Sequence, residues 1–230
     1  MRQDQQAATL VEAHDLFLSY DATVALAGAS VDVREGEILV LTGKSGSGKS
    51  SLLYCLAAVV RPNRGRLDYR GRSMTDMSDD EASTLRRSEF GFVFQFGELV
   101  PELSIRENVS LPLRLNGWDN KSSGRVTELL RALGIEDVER KRPSQVSGGQ
   151  AQRAAIARAL VHRPRVVFAD EPTGALDTEN SQIVLTEFVR MARDHHAAIV
   201  LVTHEPGVAA VGDRHLVVTD GRVTSPSREQ

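Results

Sequence analysis

The chain contains the run Gly43-Lys44-Ser45-Gly46-Ser47-Gly48-Lys49-Ser50. Its spacing, G-x-x-x-x-G-K-[ST], is typical of a loop that binds the phosphates of a nucleotide. The apolar residues Ile38–Thr42 before it predict a strand, and a helix is predicted from the end of the run to about Val60. A flexible glycine–serine linker is the alternative, but strand, loop and helix in this order are the context that such a motif requires.

Elementary chemistry explains the residue types of this phosphate loop, Gly43–Ser50. Glycines let the backbone wrap closely around a phosphate because they carry no Cβ. The N–H groups of the loop and the start of the following helix supply partial positive charge. Lys49 is predicted to reach the β- and γ-phosphates, and the Ser50 hydroxyl is predicted to bind Mg²⁺. The predicted nucleotide-binding residues here are Gly43, Lys44, Ser45, Gly46, Ser47, Gly48, Lys49, Ser50 and Ser51.

Around the phosphate loop, short apolar runs of β type alternate with helical patterns, which predicts an α/β fold with a mostly parallel sheet. The predicted strands are Ala13–Tyr20, Ala29–Val33, Ile38–Thr42, Arg66–Tyr69, Phe90–Phe94, Val166–Asp170, Ile199–Thr203 and His215–Thr219. The further predicted helices are Asp79–Arg87, Lys121–Leu133, Gln150–Leu160 and Thr178–His195. The last helix is predicted to bury one apolar face, formed by Ile183, Val184, Phe188 and Met191.

One long segment lacks strand signals. From about residue 97 to residue 160 the pattern is helical only, which predicts a helical subdomain inserted between strands. The core would then comprise about residues 10–95 and 161–223. Together these parts are predicted to form a single domain over residues 1–230.

Composition narrows the function classes. Of 230 residues, 41% are hydrophobic and 26% are charged, which is typical of a globular protein, and a net charge of -3 gives no sign of a nucleic-acid partner. The single cysteine, Cys55, excludes an internal disulfide and is predicted to be buried. No run approaches the roughly 20 apolar residues of a membrane span, and the first ten residues lack a signal-peptide pattern. We therefore expect a cytoplasmic chain that reaches a membrane only by docking onto another protein.

A second chemical motif is the apolar strand Val166–Asp170, which continues into Glu171. The carboxyl edge of a parallel sheet is where ligands of such folds bind, so both carboxylates are predicted to lie there. Asp170 is predicted to hold Mg²⁺ and Glu171 to act as general base toward an attacking water. The alternative is that both are simply solvated acids at a strand end. The presence of the phosphate loop in the same chain argues against this interpretation.

The run Val146-Ser147-Gly148-Gly149-Gln150 resembles the signature LSGGQ of the ABC ATPases. Ser147 is a natural N-cap for the helix that follows, whose start would offer N–H groups to an anion. Val146 departs from the usual leucine by one methylene, which leaves the resemblance intact. In the family this segment meets the nucleotide of a second subunit, and we name Val146–Gln150 the signature segment.

The resemblance covers about residues 13–221 and implies further site residues. Tyr20 corresponds to the aromatic residue that stacks on adenine, although a tyrosine at a strand end can also serve packing alone. Gln95, also a predicted residue of the nucleotide site, resembles the glutamine that contacts Mg²⁺ and the attacking water and relays to the membrane partner. A plain surface glutamine is the alternative. Asp177 resembles the residue that communicates across a dimer. His204 resembles the histidine that contacts the γ-phosphate, whereas His195 and His196 are interpreted as solvated helix-end residues.

The family also implies an architecture and a mechanism. It combines a P-loop core with an N-terminal antiparallel β subdomain and an inserted helical subdomain. Two subunits enclose two ATP molecules, so we expect a homodimer, with a heterodimer as the alternative. Glu171, His204 and Lys49 would act in catalysis, and Ser50, Gln95 and Asp170 would hold Mg²⁺.

The segments Gly91–Leu113 and Asp170–Asp177 resemble the group of ABC ATPases that serves lipoprotein release and macrolide or peptide export. That group includes a force-transmitting ATPase of cell division. The partner would be an integral membrane permease subunit, which would hold this chain on the inner face of the cell membrane. Its docking groove is predicted to include Phe96, Leu99, Val100 and Leu103. Ordinary core packing is an equal alternative for these residues and the better explanation for Leu103. A soluble assembly or scaffold ATPase is the alternative function.

Overall fold

The computed structural model describes residues 7–95, 98–117, 123–174 and 178–225. Its strands are β1 (Thr9–Tyr20), β2 (Thr23–Arg34), β3 (Ile38–Thr42), β4 (Arg64–Tyr69), β5 (Arg72–Ser73), β6 (Phe90–Val93), β7 (Val166–Asp170), β8 (Ala198–Val202), β9 (Arg214–Thr219) and β10 (Arg222–Thr224). Its α-helices are α1 (Lys49–Leu56), α2 (Asp79–Glu89), α3 (Ile105–Leu115), α4 (Ser123–Ala132), α5 (Gly148–Leu160), α6 (Thr178–Arg193) and α7 (Pro206–Ala209). Short 3-10 turns lie at Glu136–Val138 and Pro143–Gln145.

The strands form two sheets. An antiparallel sheet has the order β2-β1-β4-β5, and a larger sheet has the order β10-β9-β3-β8-β7-β6. In the larger sheet β9, β3, β8, β7 and β6 run parallel, and only β10 pairs antiparallel. The carboxyl ends of β3, β6, β7 and β8 therefore lie at one edge, so the segments that follow them meet there.

Alternating residues of the parallel strands explain the two apolar cores. In β3, Ile38 and Val40 belong to one cluster with α3, α4, α5 and α6, whereas Leu39 and Leu41 belong to another with α1 and the antiparallel sheet. Both faces of the parallel sheet are therefore covered, which explains why its strands are continuous apolar runs. The predicted α/β class with an antiparallel sheet is confirmed.

The helical segment begins with a buried polar anchor. Asn108 on α3 is fully buried, and its side chain accepts from the Val100 N–H at 2.7 Å and donates to the carbonyls of Val100, Leu103 and Ser104. Leu99 packs on the cluster that also contains β3, and Leu103 is half-buried. Because that cluster is continuous between helices and sheet, the division into core and helical subdomain stays a prediction.

Three helices start with the same reciprocal cap. Ser78 caps α2 together with Glu81, Ser104 caps α3 together with Glu107, and Ser147 caps α5 together with Gln150. The hydrogen bonds to the serine caps lower the pKa of both glutamates. A membrane span would need a longer apolar helix than any that the described residues form.

Two sequence-based predictions were wrong in part: the end of the first helix and the buried face of α6. The first helix ends at Leu56 rather than near Val60, because the chain turns there with Ala58 at a φ of 52°. Ile183 is 62% exposed. By helical spacing Ile183 shares the face on which Arg190 bonds Glu187 and Asp194. The buried face of α6 includes Val184 and Leu185. Cys55 is buried as predicted, and burial raises the pKa of its thiol to about 12.

Candidate functional site

A cavity of about 750 Å³ lies at the carboxyl edge of the parallel sheet. This volume is within the usual range for ligand sites. The sequence-predicted residues that line it are Tyr20, Gly43, Lys44, Ser45, Gly46, Gly48, Lys49, Ser50, Ser51, Gln95, Asp170, Glu171 and His204. Residues that the sequence did not indicate complete the lining: Thr23, Val24, Ala25 and Val202. Among the residues that the structure describes, the signature segment contributes nothing to this cavity.

The phosphate loop depends on close backbone contacts. Gly43 and Gly48 have φ values of 142° and 104°, which side chains rarely allow. A Cβ at Gly43 would overlap with the carbonyl oxygen of Val218, and one at Gly48 would overlap with that of Ala25. Both glycines are therefore needed for the loop to pack against the neighbouring strands.

The Lys49 side chain of the phosphate loop is placed for a phosphate chain. Its ammonium donates to the carbonyls of Gly43 at 3.0 Å and Lys44 at 2.8 Å, so it lies inside the curve of the loop. Ser47, also predicted to bind the nucleotide, is 8% exposed and is not among the residues that line the cavity. Its hydroxyl oxygen has no hydrogen-bond partner among the described residues. The loop thus fits an anionic group that accepts hydrogen bonds from Lys49 and from the backbone N–H groups.

The two carboxylates after β7 have different surroundings. Asp170 is buried at the strand end, and its Oδ2 accepts a hydrogen bond from the phenol of Tyr54 at 3.3 Å. Glu171 has a left-handed backbone, with a φ of 49°, and its N–H donates to the carbonyl of Val202 at 3.0 Å. Strain of this kind persists where neighbouring structure imposes it and is frequent at active sites.

Glu171 is in direct contact with His204. The Nδ1 of His204 lies 2.6 Å from Oε1 of Glu171, which makes this a short, charge-assisted pair. The Glu171 side chain is 12% exposed and that of His204 is 68% exposed. The hydrogen bond to Glu171 and its negative charge raise the pKa of His204. The structure therefore brings the predicted base and the predicted γ-phosphate contact together before any ligand is considered.

The contact between Glu171 and His204 predicts a shifted His204 pKa that can be measured. Because the pKa of His204 is raised by the ionised Glu171, the ion pair is complete when the imidazole is protonated, and it weakens as pH rises through the raised pKa. In an NMR titration we expect the His204 pKa to lie above 6.5 and to fall in Glu171→Gln, whose amide is uncharged. Glu205→Gln is the control, since the charge of Glu205 contributes less. A pKa that is identical in the parent chain and Glu171→Gln would contradict the pair.

The turn between β1 and β2 provides an apolar wall of the cavity. Tyr20 ends β1 and Val24 belongs to β2, and both side chains are exposed. A planar base can stack on such an exposed aromatic ring. Val24 carried no signal in the sequence, because an exposed valine in a strand is ordinary.

The structure confirms the predicted cap of the signature segment. Ser147 accepts from the Gln150 N–H at 3.2 Å, and the Gln150 side chain accepts from the Ser147 N–H at 3.0 Å. Val146 is half-buried and packs on the apolar cluster below α5, while Ser147 and Gly148 are exposed. Gly149 occupies the first turn of α5. Asp177 and Phe96 lie outside the described residues, so their roles stay predictions.

A glycine loop between a parallel strand and a helix, with the carboxylates of Asp170 and Glu171 from the end of β7 in the same cavity, defines a nucleotide-binding P-loop fold. Residues 26–174 match the family model described as ABC transporter. The chain belongs to the ABC transporter family and is an ATPase that binds ATP, as the sequence predicted.

Individual relatives agree. The chain is 44% identical to the lipoprotein-releasing system ATP-binding protein LolD of Bdellovibrio bacteriovorus, over 85% of this chain and 91% of that protein. It is 39% identical to the macrolide export ATP-binding/permease protein MacB of Marinobacter nauticus, over 93% of this chain but only 34% of that protein. A solved ATP-binding cassette, a dimer in a post-hydrolysis state bound to ADP and Pi, superposes with a TM-score of 0.89 at 32% identity, covering 96% of this chain and 100% of that one.

Proposed function

We propose that this chain is the ATP-hydrolysing subunit that powers a separate membrane permease, in an exporter or a transmembrane force transmitter. The observation that carries this proposal is that Lys49, Glu171 and His204 all line the same cavity. The chain spans almost the full length of a relative that is the ATP-binding part of a lipoprotein-releasing system, and only a third of one that includes its permease. The match to nearly the full length of that ATP-binding relative supports a permease carried by another subunit.

Ser50, Gln95 and Asp170 are the residues proposed to hold Mg²⁺. All three line the cavity and offer oxygen atoms, which are the ligands that this cation prefers. When bound, the cation neutralises charge on the β- and γ-phosphates. Lys49 would exchange its two loop carbonyls for phosphate oxygens. Glu171 would accept the proton of the attacking water, and His204 would support the γ-phosphate from the position in which it now bonds Glu171.

A second ATP-binding subunit completes the proposed site. The start of α5 is exposed, offers N–H groups to an anion, and lies outside the cavity of its own chain. A second copy that places its signature segment over the nucleotide would give the exposed start of α5 an anion to bind and would cover the open cavity. Two copies would then enclose two ATP molecules, with Asp177 predicted to contact the partner copy. The solved cassette that this chain resembles is dimeric, which supports the arrangement, and a heterodimer with a related chain is the alternative.

The permease would dock beside the segment that follows Gln95. There a cavity of about 460 Å³ is lined by Phe92, Phe94, Leu111 and Leu115 with Arg158 at its side. Arg158 donates to the carbonyl of Glu98 and Asn108 bonds Val100, so both hold this segment on the helical part of the chain. A permease helix in this groove would place the chain on the inner face of the membrane. Leu99, Val100 and Leu103, which the sequence placed in the docking groove, are half-buried and are not among the residues that line this cavity.

Membrane retention of a tagged chain in its own cells tests this proposal. Leu115→Glu is expected to move the chain out of the membrane fraction and to abolish permease-stimulated ATP turnover, because it places a charge in the groove. Ile183→Glu is the matched control, since Ile183 is 62% exposed and Leu115 is 59% exposed. Retention of both variants would contradict the docking surface. A parent chain that never enters the membrane fraction would favour the assembly or scaffold role.

A further inference from the structure

Tyr54 is a polar side chain at the site that the mechanism above does not use. It lies on α1 four residues after Ser50, so the two side chains share one face of the helix. Its ring is half-buried, and its phenol oxygen lies 3.3 Å from Oδ2 of Asp170. One helix face thus carries a proposed ligand of the cation and a hydrogen-bond donor to another proposed ligand.

The ring of Tyr54 has a second contact. It lies 6.5 Å from the ring of Phe94, measured between centroids, with the planes tilted by 49°. Phe94 in turn stacks on Phe92 at 5.9 Å and directly precedes Gln95. Tyr54 therefore touches the element that carries each of the remaining proposed ligands, Asp170 at the end of β7 and Gln95 after β6.

The chemistry of this hydrogen bond has one direction. An ionised carboxylate can only accept a hydrogen bond, and an ordinary phenol keeps its proton at neutral pH, so Tyr54 donates and Asp170 accepts. A carboxylate ligand that is itself hydrogen-bonded is held in one orientation, and loss of such an outer partner typically weakens metal binding 10–100-fold.

We propose that Tyr54 is a positioning residue for the divalent cation that accompanies the nucleotide. It holds one oxygen of Asp170 by its phenol and holds the approach to Gln95 by its ring, so the proposed oxygen ligands are arranged before the cation binds. This proposal rests on the proposed function, because it concerns the same cation. It predicts that loss of the phenol weakens binding of the cation–nucleotide complex but leaves binding of the free nucleotide unchanged.

Calorimetric binding of ADP, in excess Mg²⁺ and in excess EDTA, separates these two quantities without turnover. For Tyr54→Phe we expect the affinity gain from Mg²⁺ to fall about 10-fold, with the Kd in EDTA unchanged. Tyr69→Phe is the matched control, because the buried Tyr69 donates to Glu89 at 2.8 Å, away from the cavity. Its gain from Mg²⁺ should equal that of the parent chain.

The possible outcomes are distinct. An unchanged Mg²⁺ gain in Tyr54→Phe, or an equal loss of affinity in both media, would overturn the positioning role. A parent chain that binds ADP in neither medium would instead overturn the proposed function. Thermal unfolding of both variants verifies that they fold. Tyr54→Leu, which also removes the contact with Phe94, should lose at least as much of the Mg²⁺ gain as Tyr54→Phe, and a smaller loss would count against the proposal.

Discussion

Glu171→Gln is expected to lower the rate of ATP hydrolysis by about 100-fold or more while leaving ATP binding intact, which is the scale of a lost general base. The glutamine has nearly the same shape, and its carbonyl can still accept a hydrogen bond from His204. It cannot take a proton from water. Because Glu171 is 12% exposed and held in a left-handed backbone, few other groups can replace its carboxylate.

Phosphate release and size-exclusion chromatography with Mg-ATP check this expectation together. The variant should accumulate as an ATP-dependent dimer, because ATP is bound but not consumed. Glu205→Gln is the control, since Glu205 lies in the same group of side chains and has no proposed catalytic role. Hydrolysis at the parent rate in Glu171→Gln would exclude Glu171 as the base.

Lys49→Ala is expected to raise the Kd for ATP by about 100-fold or more, equivalent to about 2.7 kcal/mol. Two effects add. The ammonium that would contact the phosphates is removed, and the carbonyls of Gly43 and Lys44 lose their donor, so the loop is less well held. Truncating a close charged pair typically costs 2–5 kcal/mol or more, which agrees with this estimate.

Fluorescence titration with a labelled ATP measures the affinity. Lys44→Ala is the matched control, because it removes an exposed ammonium from the same loop while keeping the backbone groups that Lys44 contributes. It should bind ATP with a Kd close to that of the parent chain. Equal losses in both variants would show that the loop needs positive charge in general and would refute the specific role of Lys49.

Apolar runs in the sequence predicted those strands whose bounds depend only on the burial of neighbouring residues. The bounds of β3 and β7 agree with the sequence because each is an apolar run, buried on both faces, that ends where a glycine or an acid follows. By contrast, α3 was only part of a general helical signal, and β5, β10 and α7 are too short to give a pattern.

The internal contacts of the site could not be predicted from periodicity. Glu171 and His204 are 33 residues apart, and they meet because β7 and β8 are neighbours in the sheet. Tyr54 and Asp170 are 116 residues apart. A sequence pattern identifies each strand end but not the order of strands, so the residue types were predictable and their pairing was not.

The three serine caps differ in one respect that concerns charge. In α2 and α3 the reciprocal partner is a glutamate, whose negative charge offsets the positive end of its own helix. In α5 the partner is the neutral Gln150, which makes the same two hydrogen bonds. In α2 and α3 an acidic side chain of the same helix offsets the positive end of the helix dipole. The first turn of α5 contains no acidic side chain, and its start is exposed. A helix start built in this way is suited to an anion from outside the helix, and its own hydrogen bonds hold its shape without one.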